Sequence, residues 1–372
     1  MTSLTNFQQI PVVDVSGLYG APEQRRVAAE ELGRAAREVG FLYVTGSGVR
    51  PELFDDLLAV TKAFFALPLK DKLTVYIGNS SNHRGYVPTG EEGGYINADP
   101  AADRPVPDLK EAFDLSLDLP ADDADYLAGN PMLGPNQWPA LPGMAGMAGT
   151  VNAYYDAVLA FGKVLLQGFA IALGEPADRF DALVTRAPSQ LRLIHYPVDG
   201  SAVDRPGIGA HSDYEVFTLL KATEPGLEVL NGAGEWIDAP PMEDAFIVNI
   251  ADMMEIWSNG AYVATTHRVR KVAGERYSFP LFFNVDYDVL VEPLTRYRRE
   301  DGTDKLPLRA GEHLYAQSVQ TFVYLQQRLA AGAITMPEVW LEHGSFGRKA
   351  ELAQAELAQA AAGTAEPATA AS

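Results

Sequence analysis

The sequence predicts a β-rich α+β fold in which helices flank a core of short strands. Three observations predict it. Helix and strand patterns alternate through the first third, short apolar runs separated by turns fill the second half, and helical periodicity returns near the end. The chain has 372 residues, 47% of them hydrophobic and 21% charged, enough to bury a large core in one or two domains.

Residues 10–15 form a β-branched strand candidate, and Pro22 opens a helix over 22–39 with Ala28, Leu32, Ala35 and Val39 on one face. Gly40 stops it. Residues 41–45 read as a strand, and 51–65 as a second helix with Phe54, Leu57, Leu58, Phe64 and Phe65 inward. The stretch 78–142 is rich in Gly, Pro, Asn and Asp, which predicts loops framing a site. A long apolar helix follows over 151–173. The runs 191–197, 217–220, 227–230, 246–250 and 277–285 then read as strands of a sandwich or barrel, and 311–329 as one helix. Residues 349–362 repeat Ala-Glu-Leu-Ala-Gln and favour helix, whereas the Ala-, Thr- and Pro-rich end beyond Gly363 predicts disorder. The expected organisation is an N-terminal α/β region over 1–145, a core over 146–345 and a tail over 346–372.

Composition excludes several functions. A net charge of −20 would repel phosphate backbones and anionic lipid, so neither nucleic acid nor membrane is an expected partner. There is no Cys, which removes disulfides, iron–sulfur clusters, thiolate metal sites and Cys nucleophiles together. Any metal must sit on His, Asp or Glu. Residues 1–11 lack a basic segment followed by an apolar one, so a cytoplasmic protein is expected. Asp156, Lys163 and Gln167 interrupt the apolar stretch 151–173, which reads as a buried amphipathic helix rather than a membrane span.

The chemistry-bearing pattern is His211-Ser212-Asp213, because residues i and i+2 of an extended chain point to one face and can converge on one ion. His267, in another strand-like run, offers a third ligand. Two imidazoles and one carboxylate form the facial triad of non-haem iron(II) oxygenases, which leaves three coordination positions open. Alone, a His-x-Asp pair more often caps a turn at the surface, and here the turn 207–209 is close by. Arg276-Tyr277-Ser278 changes that balance: Arg276 and Ser278 share one strand face, where a guanidinium and a hydroxyl can hold a carboxylate. The plain alternative for Arg276 is a surface ion pair.

Over residues 8–345 the chain resembles the iron(II)/2-oxoglutarate-dependent oxygenases of the isopenicillin N synthase-like group. In its N-terminal part the resemblance rests on Ile10-Pro11-Val12-Val13-Asp14, Gly40-Phe41-Leu42-Tyr43-Val44, Phe64-Phe65-Ala66-Leu67-Pro68 and Arg84-Gly85-Tyr86-Val87-Pro88. Further along it rests on His211-Ser212-Asp213-Tyr214, Thr218-Leu219-Leu220, Pro225-Gly226-Leu227-Glu228-Val229, Trp257-Ser258-Asn259-Gly260, His267-Arg268-Val269 and Arg276-Tyr277-Ser278.

The resemblance implies a distorted double-stranded β-helix, a jelly-roll core flanked by N-terminal and C-terminal helices. It implies Fe(II) on His211, Asp213 and His267, with 2-oxoglutarate held by Arg276 and Ser278, helped by Tyr196, and O₂ as the other co-substrate. Ile194 stands where many plant members have Asn, and Ala251 where a Gly-Asp turn is common. Substrate-pocket candidates by resemblance are Arg84, Tyr86, Phe113, Tyr214 and Phe283. The implied reaction oxidises a C–H bond of a small metabolite by hydroxylation, desaturation or ring closure, with release of succinate and CO₂, and those pocket walls would fit a carboxylate-bearing one. Asp213 argues against halogenation, which needs the position that a carboxylate ligand fills. Two alternatives stand: an oxidase like isopenicillin N synthase, which uses an Arg-x-Ser pair for its substrate's carboxylate and no 2-oxoglutarate, and a non-catalytic jelly-roll binding protein. Among the other histidines, His195 reads as structural, facing away from Tyr196, and His83 as a solvated loop residue. His313 lies near a helix start and His343 near a terminal loop, neither with a ligand-like partner.

Overall fold

The computed structural model describes residues 5–92, 108–198, 207–271 and 274–337, and in it the first third alternates strand and helix as expected. β1 (Val12–Asp14) leads to α1 (Pro22–Glu38), β2 (Phe41–Thr45), α2 (Pro51–Phe65) and a short α3 (Leu69–Lys72). Pro22 and Pro51 occupy first helical turns, where a missing N–H costs nothing, and Gln24 Oε1 accepts the Ala21 N–H to cap α1. Gly40, at φ +70°, ends α1 in the left-handed conformation that side chains resist. The stretch expected as loops contributes β3 (Gly85–Val87), β4 (Glu111–Leu115) and α4 (Ala124–Leu127), followed by the long α5 (Met147–Ala172).

The remaining strands are β5 (Gln190–Tyr196), β6 (Ile208–His211), β7 (Phe217–Ala222), β8 (Leu227–Leu230), β9 (Trp236–Asp238), β10 (Phe246–Ile250), β11 (His267–Val269) and β12 (Arg276–Phe283), with α6 (Asp252–Trp257) between β10 and β11. A two-stranded ribbon, β13 (Leu290–Val291) and β14 (Leu308–Arg309), precedes α7 (Ala310–Thr321) and α8 (Val323–Ala330). Eight strands form one sheet in the order β1-β2-β10-β7-β12-β5-β4-β3, and four form a second, β6-β11-β8-β9. This is the expected jelly-roll core. The early strands close both edges of the larger sheet, so residues 1–145 and the core share one hydrogen-bonded layer.

The larger sheet is buried on both faces. On β12, Tyr277, Phe279, Leu281 and Phe283 join Val158, Phe161 and Leu165 of α5 in one apolar cluster. On the opposite face Ile194, Tyr196, Leu220 and Ile247 pack with Leu227, Val229 and Val269 of the smaller sheet. Full burial of each such side chain contributes roughly 1.5–3 kcal/mol, which makes the two layers the main stabilising element. The apolar run 151–173 is therefore a core helix, packed on α1, α2 and β12.

Two expectations change. The segment 311–329 is two helices, because Phe322 is extended (φ −96°, ψ 126°) and its neighbour Val323 donates its N–H to Glu91 O at 3.0 Å instead of continuing the helical ladder. The strand carrying His211 ends at that residue, so Asp213 lies beyond it in the turn to β7. The proposed helix 349–362, the end beyond Gly363 and His343 lie outside the described residues.

Gly162 sits where α5 meets β12, and a Cβ there would stand 2.4 Å from Phe283 Cδ2. Phe283 is fully buried and stacked on Phe217 at 4.7 Å, so its ring has nowhere to retreat. Gly162→Ala is expected to lose about 1–2 kcal/mol, because overpacking of ~1–3 kcal/mol outweighs the ~1 kcal/mol gain in helix propensity. A melting temperature that falls by a few degrees would bear this out; an unchanged or higher value would contradict it.

Candidate active site

β11 pairs with β6 so that His267 lies directly across from His211, and their rings sit 4.3 Å apart. Asp213 joins them although it has left the strand, because the first N–H groups of α6 grip its loop: Asp252 N–H donates to Asp213 O at 3.0 Å and Met253 N–H to Glu215 O at 2.9 Å. Ala251 is extended before that helix (φ −120°), so no glycine is required there.

One ligand atom from each of the three residues lies within 4.8 Å of the others. His211 Nε2 and His267 Nε2 are 3.5 and 3.6 Å from Asp213 Oδ1. Each Nδ1 bonds a backbone carbonyl, Gly209 O at 2.8 Å and Thr265 O at 3.1 Å, which makes Nδ1 the protonated nitrogen and leaves the Nε2 lone pairs facing Asp213. Asp213 Oδ2 is taken by Thr218 Oγ1 and by Asn249 Nδ2 at 2.7 Å, so Oδ1 remains for a metal. Burial alone would raise the Asp213 carboxyl, but His267, His211 and the Thr218 hydroxyl hold it well below the usual carboxylate range. Burial, with His211 adding to it, pushes His267 down to about 4, which keeps its imidazole neutral. Two imidazole nitrogens and one carboxylate oxygen on one side of a cavity suit iron(II) with open positions.

That cavity, of about 110 Å³, lies between the two sheets. Alternation along the strands decides which residues reach it. On β12 they are Arg276, Ser278, Pro280 and Phe282; on β5, Gln190, Arg192, Ile194 and Tyr196. Arg276 pairs across the sheet with Tyr196 and lies 4.7 Å above its ring. It is buried, its Nε donates to Glu224 O at 3.0 Å, and its Nη1 has no hydrogen-bond partner. Among the described residues no carboxylate forms an ion pair with it. A buried guanidinium with an idle donor and a hydroxyl two residues along is what a ligand carboxylate requires. Ile194, across from Ser278, makes that wall apolar where the resemblance favoured Asn.

Of the substrate-pocket candidates, Tyr214 lines the cavity and the other four do not. Arg84 is spent on the backbone, donating to Asn82 O and His83 O at 2.9 Å and to Met132 O at 2.6 Å. Tyr86 pairs with Phe113, and Phe113 with Leu193, a row on the helix-facing side of the sheet; Phe283 belongs to that side as well. His83 corrects in the other direction. It is buried, lines the cavity, has φ +62° and bonds Tyr324 Oη through Nδ1 at 2.6 Å. His195 faces away, held by Glu111 at 2.8 Å and Glu275 at 3.0 Å. His313 is buried 3.4 Å from Asp252 Oδ2.

The cavity also holds polar residues that motif reading passed over: Glu92, Asp108, Lys110, Gln190, Arg192 and Glu215. Burial first, then Asp213, pushes the Glu215 carboxyl up to about 8. Strand alternation counted back from Tyr196 would have found Arg192 and Gln190. Nothing in local spacing points to Glu92, Asp108 or Lys110.

Comparisons with known proteins agree with this geometry. Residues 10–141 match the family model for the non-haem dioxygenase in morphine synthesis N-terminal region, and residues 187–285 match the 2OG-Fe(II) oxygenase superfamily. Homoarginine-6-hydroxylase 2-ODD-233 of Oryza sativa subsp. japonica is 33% identical over 337 residues, 86% of this chain and 99% of that protein. A full-length Neurospora crassa protein solved in complex with alpha-KG superposes with a TM-score of 0.72 at 28% identity, covering 87% of this chain and 96% of that one. The same protein has been solved with alpha-KG and thymine. A 2OG-Fe(II) oxygenase family protein of Caulobacter crescentus gives a TM-score of 0.69 at 30% identity, covering 87% of this chain and 99% of that one. With a buried His-Asp-His triad at the centre of a jelly roll and matches that run nearly end to end, this chain belongs to the iron(II)/2-oxoglutarate-dependent oxygenase superfamily.

Proposed function

We propose that the protein oxidises a C–H bond of a small polar metabolite, with His211, Asp213 and His267 holding iron(II) and with Arg276 and Ser278 holding the far carboxylate of 2-oxoglutarate. The observation that carries this reading is the idle Nη1 of a buried Arg276 in the same cavity as the triad. Iron(II) with 2-oxoglutarate and O₂ supplies the oxidising power for C–H cleavage, with succinate and CO₂ as co-products.

The chain's own groups do the positioning. Thr218 and Asn249 fix the Asp213 carboxylate so that one oxygen is presented. The carbonyls of Gly209 and Thr265 fix the imidazole tautomers. Tyr196 supports the Arg276 guanidinium through its ring face. Leu227 and Val269 line the wall with Ile194 and keep water from the carboxylate, so its pairing with Arg276 takes place at low dielectric. The names of the relatives and the alpha-KG in the Neurospora crassa structure favour 2-oxoglutarate use over an oxidase without it. Homoarginine in one relative's name and thymine in the Neurospora crassa complex support a small polar substrate.

His211→Ala, Asp213→Ala and His267→Ala are each expected to lower turnover by at least about a hundredfold in a folded protein, and Asn249→Ala to weaken iron(II) binding by about 10–100-fold by freeing the ligand carboxylate. Anaerobic iron titration with circular dichroism reads both effects. Full turnover in any ligand variant would remove that residue from the site.

Arg276→Ala is expected to weaken 2-oxoglutarate binding by roughly 30-fold to several thousandfold, the usual cost of breaking a buried charged pair. Arg276→Lys keeps the charge but loses the planar fork, so it should lose less, and Ser278→Ala removes only a neutral donor and should lose least. The visible absorption of a keto acid chelating iron(II) reports binding without O₂. If that absorption never appears and the protein consumes O₂ with its substrate alone, Arg276 serves the substrate and the oxidase reading replaces this one.

A further inference from the structure

We propose, building on the oxygenase reading above, that the substrate carries an ammonium or guanidinium group on its side chain and that Asp108 receives it at the cavity wall beside the iron ligands.

A chain of buried charges runs along that wall. Asp114 takes two bonds from Arg192, Nε to Oδ1 at 2.7 Å and Nη2 to Oδ2 at 2.6 Å. Arg192 also meets Glu92 at 2.5 Å, Glu92 meets Lys110, and Lys110 Nζ stands 3.8 Å from Asp108 Oδ2. The chain thus holds three carboxylates and two cations. Each cation already stands between two carboxylates, so neither is left to attract an anionic substrate.

The surplus negative charge falls at Asp108, the end of the chain. A separation of 3.8 Å is too long for a hydrogen bond, and among the described residues the carboxylate has one other polar neighbour, the Gly209 N–H at 3.3 Å. An ionised carboxylate offers about four lone-pair sites, so most of its capacity is unmet. Burial pushes the Asp108 carboxyl up to about 6, against the lowering pull of the Gly209 N–H, His211 and Arg192. Among the described residues the other charges on the wall supply no free cation for Asp108. Asp213 is committed to the metal and Arg276 to 2-oxoglutarate, while Glu215 adds a further acid.

Position makes Asp108 more than a stray acid. Gly209, which donates to it through its N–H, accepts from His211 Nδ1 through its carbonyl, so one residue links Asp108 to an iron ligand. A cation seated on Asp108 would bring the carbon chain attached to it close to the metal. A separate observation concerns the same cavity. Gln190 is buried, and its Nε2 has no hydrogen-bond partner. It lies in the cross-strand row Gln190, Phe282, Thr218 and Asn249, the row that orients Asp213. An unmet buried donor there calls for a carbonyl or carboxylate on the ligand. The two sites together describe a small metabolite with a cationic group and a hydrogen-bond acceptor, as an amino acid with a basic side chain has.

Calorimetry without O₂, on full-length protein loaded with iron(II) and 2-oxoglutarate, tests this directly. The probes are L-arginine, L-lysine and agmatine as cations, L-citrulline as the isostere of L-arginine with an uncharged side chain, and glutarate as an anion. At least one cation should bind roughly 30-fold or more tightly than both L-citrulline and glutarate, and Asp108→Asn should abolish that preference. Equal or tighter binding of the neutral or anionic probe, no saturable binding of any cation, or a preference that survives in Asp108→Asn would overturn the proposal. The 2-oxoglutarate titration that precedes each run separates the two readings. If 2-oxoglutarate binds and the cation preference is absent, only this inference fails; if 2-oxoglutarate does not bind, the oxygenase reading fails and takes this inference with it.

Discussion

Because the larger sheet is covered on both faces, most residues along β12, β5 and β7 face either the helices or the cavity. Side chains on a strand alternate strictly, so the register of these strands settles both the core and the chemistry at once. A slip of one residue on β12 would turn Arg276 into the apolar helix layer and Tyr277 into the cavity. Such a slip is strongly opposed, since it would turn Tyr277, Phe279, Leu281 and Phe283 out of the apolar layer against the helices. The same aromatic residues that hold the helices to the sheet therefore aim the polar ones at the site.

Within the cavity, buried groups divide into those satisfied by the protein and those left for a ligand. The triad belongs to the first kind in all but one direction: both Nδ1 atoms and Asp213 Oδ2 are bonded, and only Oδ1 and the two Nε2 atoms converge. Three loose side chains would have to be ordered by the metal. Here backbone carbonyls and the first turn of α6 have already ordered them, so little conformational entropy remains to be lost when iron binds. Arg276 Nη1, Gln190 Nε2 and Asp108 belong to the second kind. A cavity with unmet donors and a surplus carboxylate is a cost to stability that a binding site carries for its ligand.

The closure of the cavity depends on a break in regular structure. Phe322 leaves the helical ladder, forms a bridge with Glu92 and places its ring on the cavity, where Arg192 lies 5.4 Å over it. His83, in a left-handed conformation unusual for a side chain of its size, packs edge-on to the same ring at 4.5 Å. Strained backbone and interrupted helix meet at one wall of the cavity, as is common where function rather than packing sets local geometry.

The sequence by itself determined the His-Asp-His triad, the placing of Arg276 and Ser278 on one strand face and most of the element order. A metal accepts few donor types, strand residues i and i+2 share a face, and helical and extended periodicities differ, so all of this is written in spacings of a few residues. The same rule, applied one step further, would have placed Phe282 rather than Phe283 in the cavity and found Arg192 from Tyr196. Other features were decided only by the tertiary structure. Arg84 turned to backbone carbonyls, His83 was drawn from an expected solvated loop into the wall, and the helix expected over 311–329 broke where Glu91 competed for a backbone N–H. The alignment of Asp114, Arg192, Glu92, Lys110 and Asp108 arises in the same way, since it joins segments up to about a hundred residues apart. Which distant loops meet depends on how sheets and helices pack around them, and local periodicity carries no record of that packing.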